Sequence, residues 1–166
     1  MLISLNKFFK SKFTDKYEKA IKQKYKFIMK FCENINIVYL KEMCNDKSNN
    51  IYIYSINDSL TDNYKNEIIG IVVIRKILNT STKIRIYVPL ISIHTSMQSY
   101  GYGSIIMNEI ISKYYKNKTL EIVLLSLKSS YDFYSKLGFF NFNVKFIKKN
   151  ETIGDCIMMI KIINKI

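Results

Sequence analysis

Apolar residues in the first 33 positions recur at helical spacing: Leu2, Leu5, Phe9 and Phe13, then Tyr17, Ala20, Ile21, Ile28, Phe31 and Cys32. Asp15 followed three residues later by Glu18 resembles a capping box and divides the region into two helices. Ile37–Leu40 reads as either a short strand or a helix end, and the polar run Asn45–Asn50 as a loop. Three strands are expected next, over Ile51–Ile56, Glu67–Ile77 and Lys83–His94, with Gly70 marking a close backbone approach inside the second. The apolar run Ile68–Ile74 suits a strand buried on both faces. A helix over Ser104–Lys116 carries Ile105, Ile106, Ile110, Ile111 and Tyr114 on one side. Glu121–Leu127 is a compact apolar strand, and Ser129–Leu137 a short helix closed by Gly138 in a capping position. Asn141–Ile147 and Cys156–Ile163, either side of Lys148–Asp155, form a terminal hairpin. This order predicts a mixed α/β (α+β) fold, one domain over 1–166, with a mostly helical part at 1–50 and a core at 51–163.

Within that frame one segment carries chemistry. Between the long strand and its helix stands Gln98-Ser-Tyr-Gly101-Tyr-Gly103-Ser104. The glycines let the backbone turn sharply and bring successive N–H groups together, and the helix start aims further unpaired amides at the same point. The arrangement suits a phosphate. A Walker A loop would end in Gly-Lys-Ser/Thr, which is absent, and a dinucleotide fingerprint would need a small residue where Ile106 stands. A plain structural turn is the alternative on local features.

Composition narrows the rest. Hydrophobic residues make up 48%, which excludes a disordered chain. No apolar run reaches the ~20 residues needed to span a bilayer. The basic stretch Met1–Phe13 is interrupted by lysines and lacks the continuous apolar segment of a secretory signal. Cys32, Cys44, Cys156 and the single histidine His94 are too few and scattered for a zinc site or a disulfide framework, so no metal and a reducing, cytoplasmic location are expected. Net charge is +13, from 26 basic and 13 acidic residues. The lysines are dispersed without stacking aromatics, so the charge reads as compositional bias more than as a nucleic-acid surface. It would still attract a cofactor bearing several phosphates.

The turn at Gln98–Gly103, followed by Ser130-Tyr-Asp-Phe-Tyr134-Ser-Lys-Leu-Gly138-Phe139 and then Gly154-Asp-Cys-Ile-Met-Met-Ile-Lys161, resembles the GNAT superfamily of acetyl-CoA-dependent N-acetyltransferases. Order and spacing agree over residues 51–163. The family's usual first strand is not evident among the first fifty residues. The resemblance implies a mostly antiparallel sheet splayed at its centre and flanked by helices. It implies binding of the acetyl-CoA diphosphate by Gln98, Ser99, Tyr100, Gly101, Tyr102, Gly103 and Ser104, with Ile91 and Ile93 pairing their backbone with the pantetheine arm.

The same resemblance puts Tyr134 beside the cofactor sulfur. A phenol of ordinary pKa ~10 would protonate a departing thiolate of pKa ~8.5 across a modest mismatch. Tyr87 stands where many relatives keep a glutamate base, and some protein amino-terminal acetyltransferases keep tyrosine. It either orients the amine or a relay water, or fills the groove as a strand residue. His94 lies where the family varies freely and reads as structural, Thr95 stands where proline is usual, and Leu127 replaces a common cofactor-contacting asparagine. Glu67 is a further candidate base.

Without an acidic base, an acceptor of low amine pKa is the easier one. Freeing a lysine amine at pH 7 costs about 4.6 kcal/mol and an α-amine about 1 kcal/mol. The expected function is therefore direct acetyl transfer to a peptide amino terminus or a small amine, by a monomer or homodimer without membrane or nucleic-acid partners. The alternatives are a catalytically inactive binding module of the same shape and a basic nucleic-acid-associated protein.

Overall fold

The computed structural model describes residues 2–4, 42–43, 46–56, 68–142 and 156–165. Among these residues seven strands form one sheet: β1 (Leu2–Ser4), β2 (Asn49–Ser55), β3 (Ile68–Asn79), β4 (Lys83–Ile93), β5 (Thr119–Leu127), β6 (Phe140–Asn141) and β7 (Cys156–Ile163), in the order β1-β2-β3-β4-β5-β7-β6. Two helices are described, α1 (Tyr102–Tyr114) and α2 (Tyr131–Lys136). The β1–β2, β5–β7 and β6–β7 pairs are antiparallel and the β4–β5 pair is parallel. The mixed, mostly antiparallel α+β fold expected from the sequence is the fold observed.

The chain divides into two compact units with interleaved segments, Met1–Ile74 with Leu90–Ile110, and Arg75–Pro89 with Ile111–Ile166. In the first, Ile68–Ile74 of β3 is buried at every position, as its unbroken apolar run requires. Ile51 and Ile53 of β2 and Ile106, Met107 and Ile110 of α1 complete that core. Gly70 does mark a close approach, because a Cβ there would stand 2.5 Å from the Ser92 carbonyl oxygen. In the second unit, β4 alternates half-buried Lys83, Arg85, Tyr87 and Pro89 with buried Ile84, Ile86 and Val88. Those buried side chains share their face with Leu120, Ile122, Leu124 and Met159, while buried Val123 and Ile160 lie on the other face with Tyr87. The β4–β5 ladder runs from Lys83–Thr119 to Val88–Leu124; Pro89, next in β4, has no amide hydrogen to extend it.

Three expectations need correction. Leu2–Ser4 is a strand, not the start of a helix: it pairs with Tyr52–Tyr54, and its Leu2 amide donates to Glu109 of α1 at 2.8 Å. Three residues are too few for alternation to show, so long-range pairing decided the matter. The loop expected over Asn45–Asn50 yields Asn49 and Asn50 to β2, and the Asn49 side chain is held by the Met43 carbonyl. On α1 the buried stripe runs through Ile106, Met107, Ile110 and Tyr114, while Ile105 is exposed. The rest of the two amino-terminal helices, Ile37–Leu40, Cys32, Cys44, Glu67, 143–150 and 151–155 lie outside the described residues. Among the described residues no helix is long and apolar enough to cross a membrane.

Candidate active site

The glycine turn lies in the first unit, and its conformation is specific. After β4, His94 caps a single 3-10 turn at Thr95–Met97, with its Nδ1 accepting the Ser96 amide, and the His94 amide donates to Ile69. The sole histidine thus has the structural task expected of it. The Gln98 side-chain amide donates back to the Ile93 carbonyl at 3.1 Å, fastening the turn to the strand end. Ser99 then takes φ 67° and Gly101 φ 82°, both left-handed. A serine held there carries backbone strain of about 1–3 kcal/mol, a cost associated with functional loops. The Gly101 carbonyl accepts the amides of Ser104 and Ile105, so α1 begins directly behind the turn. Residues Gln98–Gly101 are exposed and Tyr102–Ser104 half-buried.

Tyr102 opens α1 with its ring 6.3 Å from that of Tyr54. Burial pushes the Tyr54 phenol above its ordinary range, and Glu109 and Tyr102 push the same way. Ile91 and Ile93, both half-buried, end β4 in this unit. The Ile93 carbonyl is already engaged by Gln98, a contact that spacing alone did not reveal.

Tyr134 and Tyr87 belong to the second unit. Tyr134 sits on α2 with its ring edge-on to Phe133 at 4.9 Å and to Phe139 at 5.6 Å. The helix is ended by amides of Leu137 and Phe139 donating to the Tyr134 carbonyl, and by Gly138 at φ 82°. Lys161 of β7 donates to the Leu137 carbonyl at 2.6 Å, placing a cation at the negative end of α2. Burial pushes the Tyr134 phenol up to about 12. Among the described residues its hydroxyl has no hydrogen-bond partner. Leu127 is exposed at the end of β5.

Tyr87 lies opposite Val123 in the parallel ladder, on the half-buried face of β4 with Arg85 and Lys83. That face also holds a cluster the sequence reading missed. Glu121, the one charged residue of β5, accepts Lys83 Nζ on one oxygen at 2.8 Å and Arg85 Nε on the other at 2.5 Å. Burial raises its pKa, but the two hydrogen-bonded cations outweigh burial and hold the carboxyl below its ordinary value. The ion pairs lower its proton affinity and hold both oxygens toward Lys83 and Arg85. The available signal was a lone carboxylate inside Thr119–Leu127, facing Lys83-x-Arg85.

A family model, Acetyltransferase (GNAT) domain, matches residues 28–153. The chain therefore belongs to the GNAT acetyltransferase family, and with it to the acyltransferases. No curated protein matches the sequence. Among solved structures it is similar to Tetrahymena GCN5, at 15% identity over 92% of both chains with a TM-score of 0.62. It is also similar to spermidine N-acetyltransferase from Vibrio cholerae in complex with CoA and spermine, at 14% identity over 98% of this chain and 94% of that one, TM-score 0.56. Arabidopsis thaliana NAA60 in complex with acetyl-CoA matches at 12% identity over 87% and 92%, TM-score 0.57. At these identities the likeness concerns the fold.

Proposed function

We propose that the chain transfers an acetyl group from acetyl-CoA to a primary amine by direct attack, with a peptide amino terminus or a small amine as acceptor. The observation that carries this reading is the turn ahead of α1, where Ser99 and Gly101 both adopt positive φ. Such a backbone gathers amides into one concavity, and the helix start adds its positive end. A Cβ on Gly101 would meet nothing within 4 Å, so glycine serves conformation there and the outer side is open. The turn fits a diphosphate. Gln98, Ser99, Tyr100, Gly101, Tyr102, Gly103 and Ser104 would hold that group, and Ile91 and Ile93 the pantetheine arm. That similar structures contain CoA or acetyl-CoA supports the same cofactor here.

When bound, acetyl-CoA supplies a thioester carbonyl and a sulfur leaving group. Tyr134, protonated at neutral pH, would donate toward that sulfur. Its pKa of about 12 widens the mismatch expected from the sequence. Full proton transfer to a thiolate of pKa ~8.5 is uphill by about 5 kcal/mol. The hydroxyl therefore acts chiefly as a hydrogen-bond donor while charge develops. Tyr87 is the amine-side partner, orienting the nucleophile or a relay water. The free, half-buried thiol of Cys156 accords with a reducing compartment such as the cytoplasm. Calorimetric titration with acetyl-CoA, followed by a free-thiol assay over an amine panel, tests the reading. Binding with thiol release is expected, and absence of binding at millimolar acetyl-CoA would overturn it.

A further inference from the structure

The three charges beside Tyr87 do not balance. Glu121 is one carboxylate between two cations, Lys83 and Arg85, leaving a formal +1 on this patch of sheet. Lys83 Nζ gives one of its three N–H groups and Arg85 Nε its single one to Glu121, and the guanidinium has further N–H donors in planar array at its fork. Among the described residues, nothing accepts from the Arg85 terminal nitrogens. Its side chain is 31% exposed, whereas that of Glu121 is 7% exposed, so the fork is reachable while its anchor is not. The bond to Glu121 fixes the plane of the guanidinium in advance, which lowers the entropy lost when a ligand is gripped.

We propose that Arg85 receives a carboxylate of the acceptor, so that the preferred acceptor is a peptide with an acidic side chain close to its amino terminus. This rests on the acetyltransferase reading, with Tyr87 as the amine-side residue. Arg85 and Tyr87 share the half-buried face of β4 two positions apart, roughly 6.6 Å along the strand. That separation corresponds to about two residues of extended peptide, the distance from a terminal amine to a side chain at the second position. A planar fork also suits a carboxylate, which can accept from two of its N–H groups at once. Polyamines and lysine-rich peptides would meet like charge at this point.

Three peptides identical except for Asp, Asn or Lys at the second position test the assignment on the unaltered protein, with free aspartate as a small-molecule arm. The Asp peptide is expected to show a KM about tenfold below that of the Asn peptide, and further below that of the Lys peptide. Titration of the same peptides into protein without acetyl-CoA gives a second readout, and the Asp advantage there is expected to shrink as salt rises. Arg85→Gln is expected to bring the Asp and Asn peptides to the same affinity, and Arg85→Lys to restore part of the difference. Free aspartate bound in preference to the peptide would keep the anchor and assign its carboxylate to a small molecule. Equal affinity for Asp and Asn peptides in both assays would overturn the inference while leaving acetyl transfer intact. Failure to bind acetyl-CoA would instead remove the enzymatic reading, and the cofactor-free titration would still decide the role of Arg85.

Discussion

Gly70 of β3 and Ser92 of β4 lie so close that a Cβ on Gly70 would stand 2.5 Å from the Ser92 carbonyl oxygen and 3.4 Å from the Ile93 Cα. The nearest atoms are backbone, so relief requires a strand to move. Gly70→Ala is expected to destabilise the protein by about 1–3 kcal/mol, read as a lower denaturation midpoint at constant m value. Because Ile91 and Ile93 flank Ser92, acetyl-CoA affinity is expected to fall as well. An alanine variant as stable as the parent would show that the strands separate freely at this point.

The two left-handed residues of the turn make opposite predictions. Ser99→Gly removes the penalty of φ 67° and is expected to leave stability unchanged or raise it by up to ~1 kcal/mol. Gly101→Ala introduces that penalty at φ 82° without a steric clash. It is expected to weaken acetyl-CoA binding about five- to tenfold in a calorimetric titration. Unchanged affinity would mean that the shape of the turn does not determine binding.

Tyr134→Phe keeps both ring contacts and loses only the hydroxyl. Turnover is expected to fall by roughly one to three orders of magnitude with cofactor affinity retained, measured by free-thiol release alongside calorimetry. Unchanged turnover would place the donor elsewhere.

The same tyrosine sets an alkaline limit. With a folded pKa of about 12 against an ordinary 10.0, Tyr134 is neutral in both states at lower pH. Between these values the unfolded chain releases its proton while the folded chain keeps it, so stability falls as pH rises, by up to about 3 kcal/mol. Comparing denaturation midpoints at pH 9 and pH 11.5 isolates this contribution, because Tyr134→Phe should fall less steeply than the parent. Parallel losses in the two proteins would refute a raised pKa.

Lys161→Met removes the cation from the end of α2 but preserves most of the side chain's apolar length. A loss of about 1 kcal/mol is expected in chemical denaturation, together with lower turnover as Tyr134 loses its fixed position. Full activity would show that Gly138 and Phe139 suffice to set the helix.

What the chain disclosed before folding depended on the range of each interaction. The core strands were legible because burial on both faces leaves the unbroken run Ile68–Ile74, and burial on one face leaves the alternation Lys83–Val88. Gly70, Gly101 and Gly138 were informative because a side chain would clash at the first and is disfavoured by the left-handed dihedrals of the other two. The strand Leu2–Ser4 was illegible because its partners lie near position 53 and no local pattern records them. The elevated proton affinity of Tyr134 depends on enclosure by residues at other positions, and the ion cluster on pairing Lys83 and Arg85 with Glu121. Motif spacing located Tyr134 and the turn, but the Gln98-to-Ile93 clasp required coordinates.

The bond between Lys161 and the end of α2 also bears on the order of assembly. A helix of six residues does not hold its shape alone. On a ribosome releasing the polypeptide from its amino end, Tyr134 emerges before the segment that braces it. The glycine turn can set early, whereas the tyrosine gains its final posture only when β7 arrives. Nascent chains stalled ahead of Lys161 would thus carry the glycine turn together with a Tyr134 not yet braced by β7.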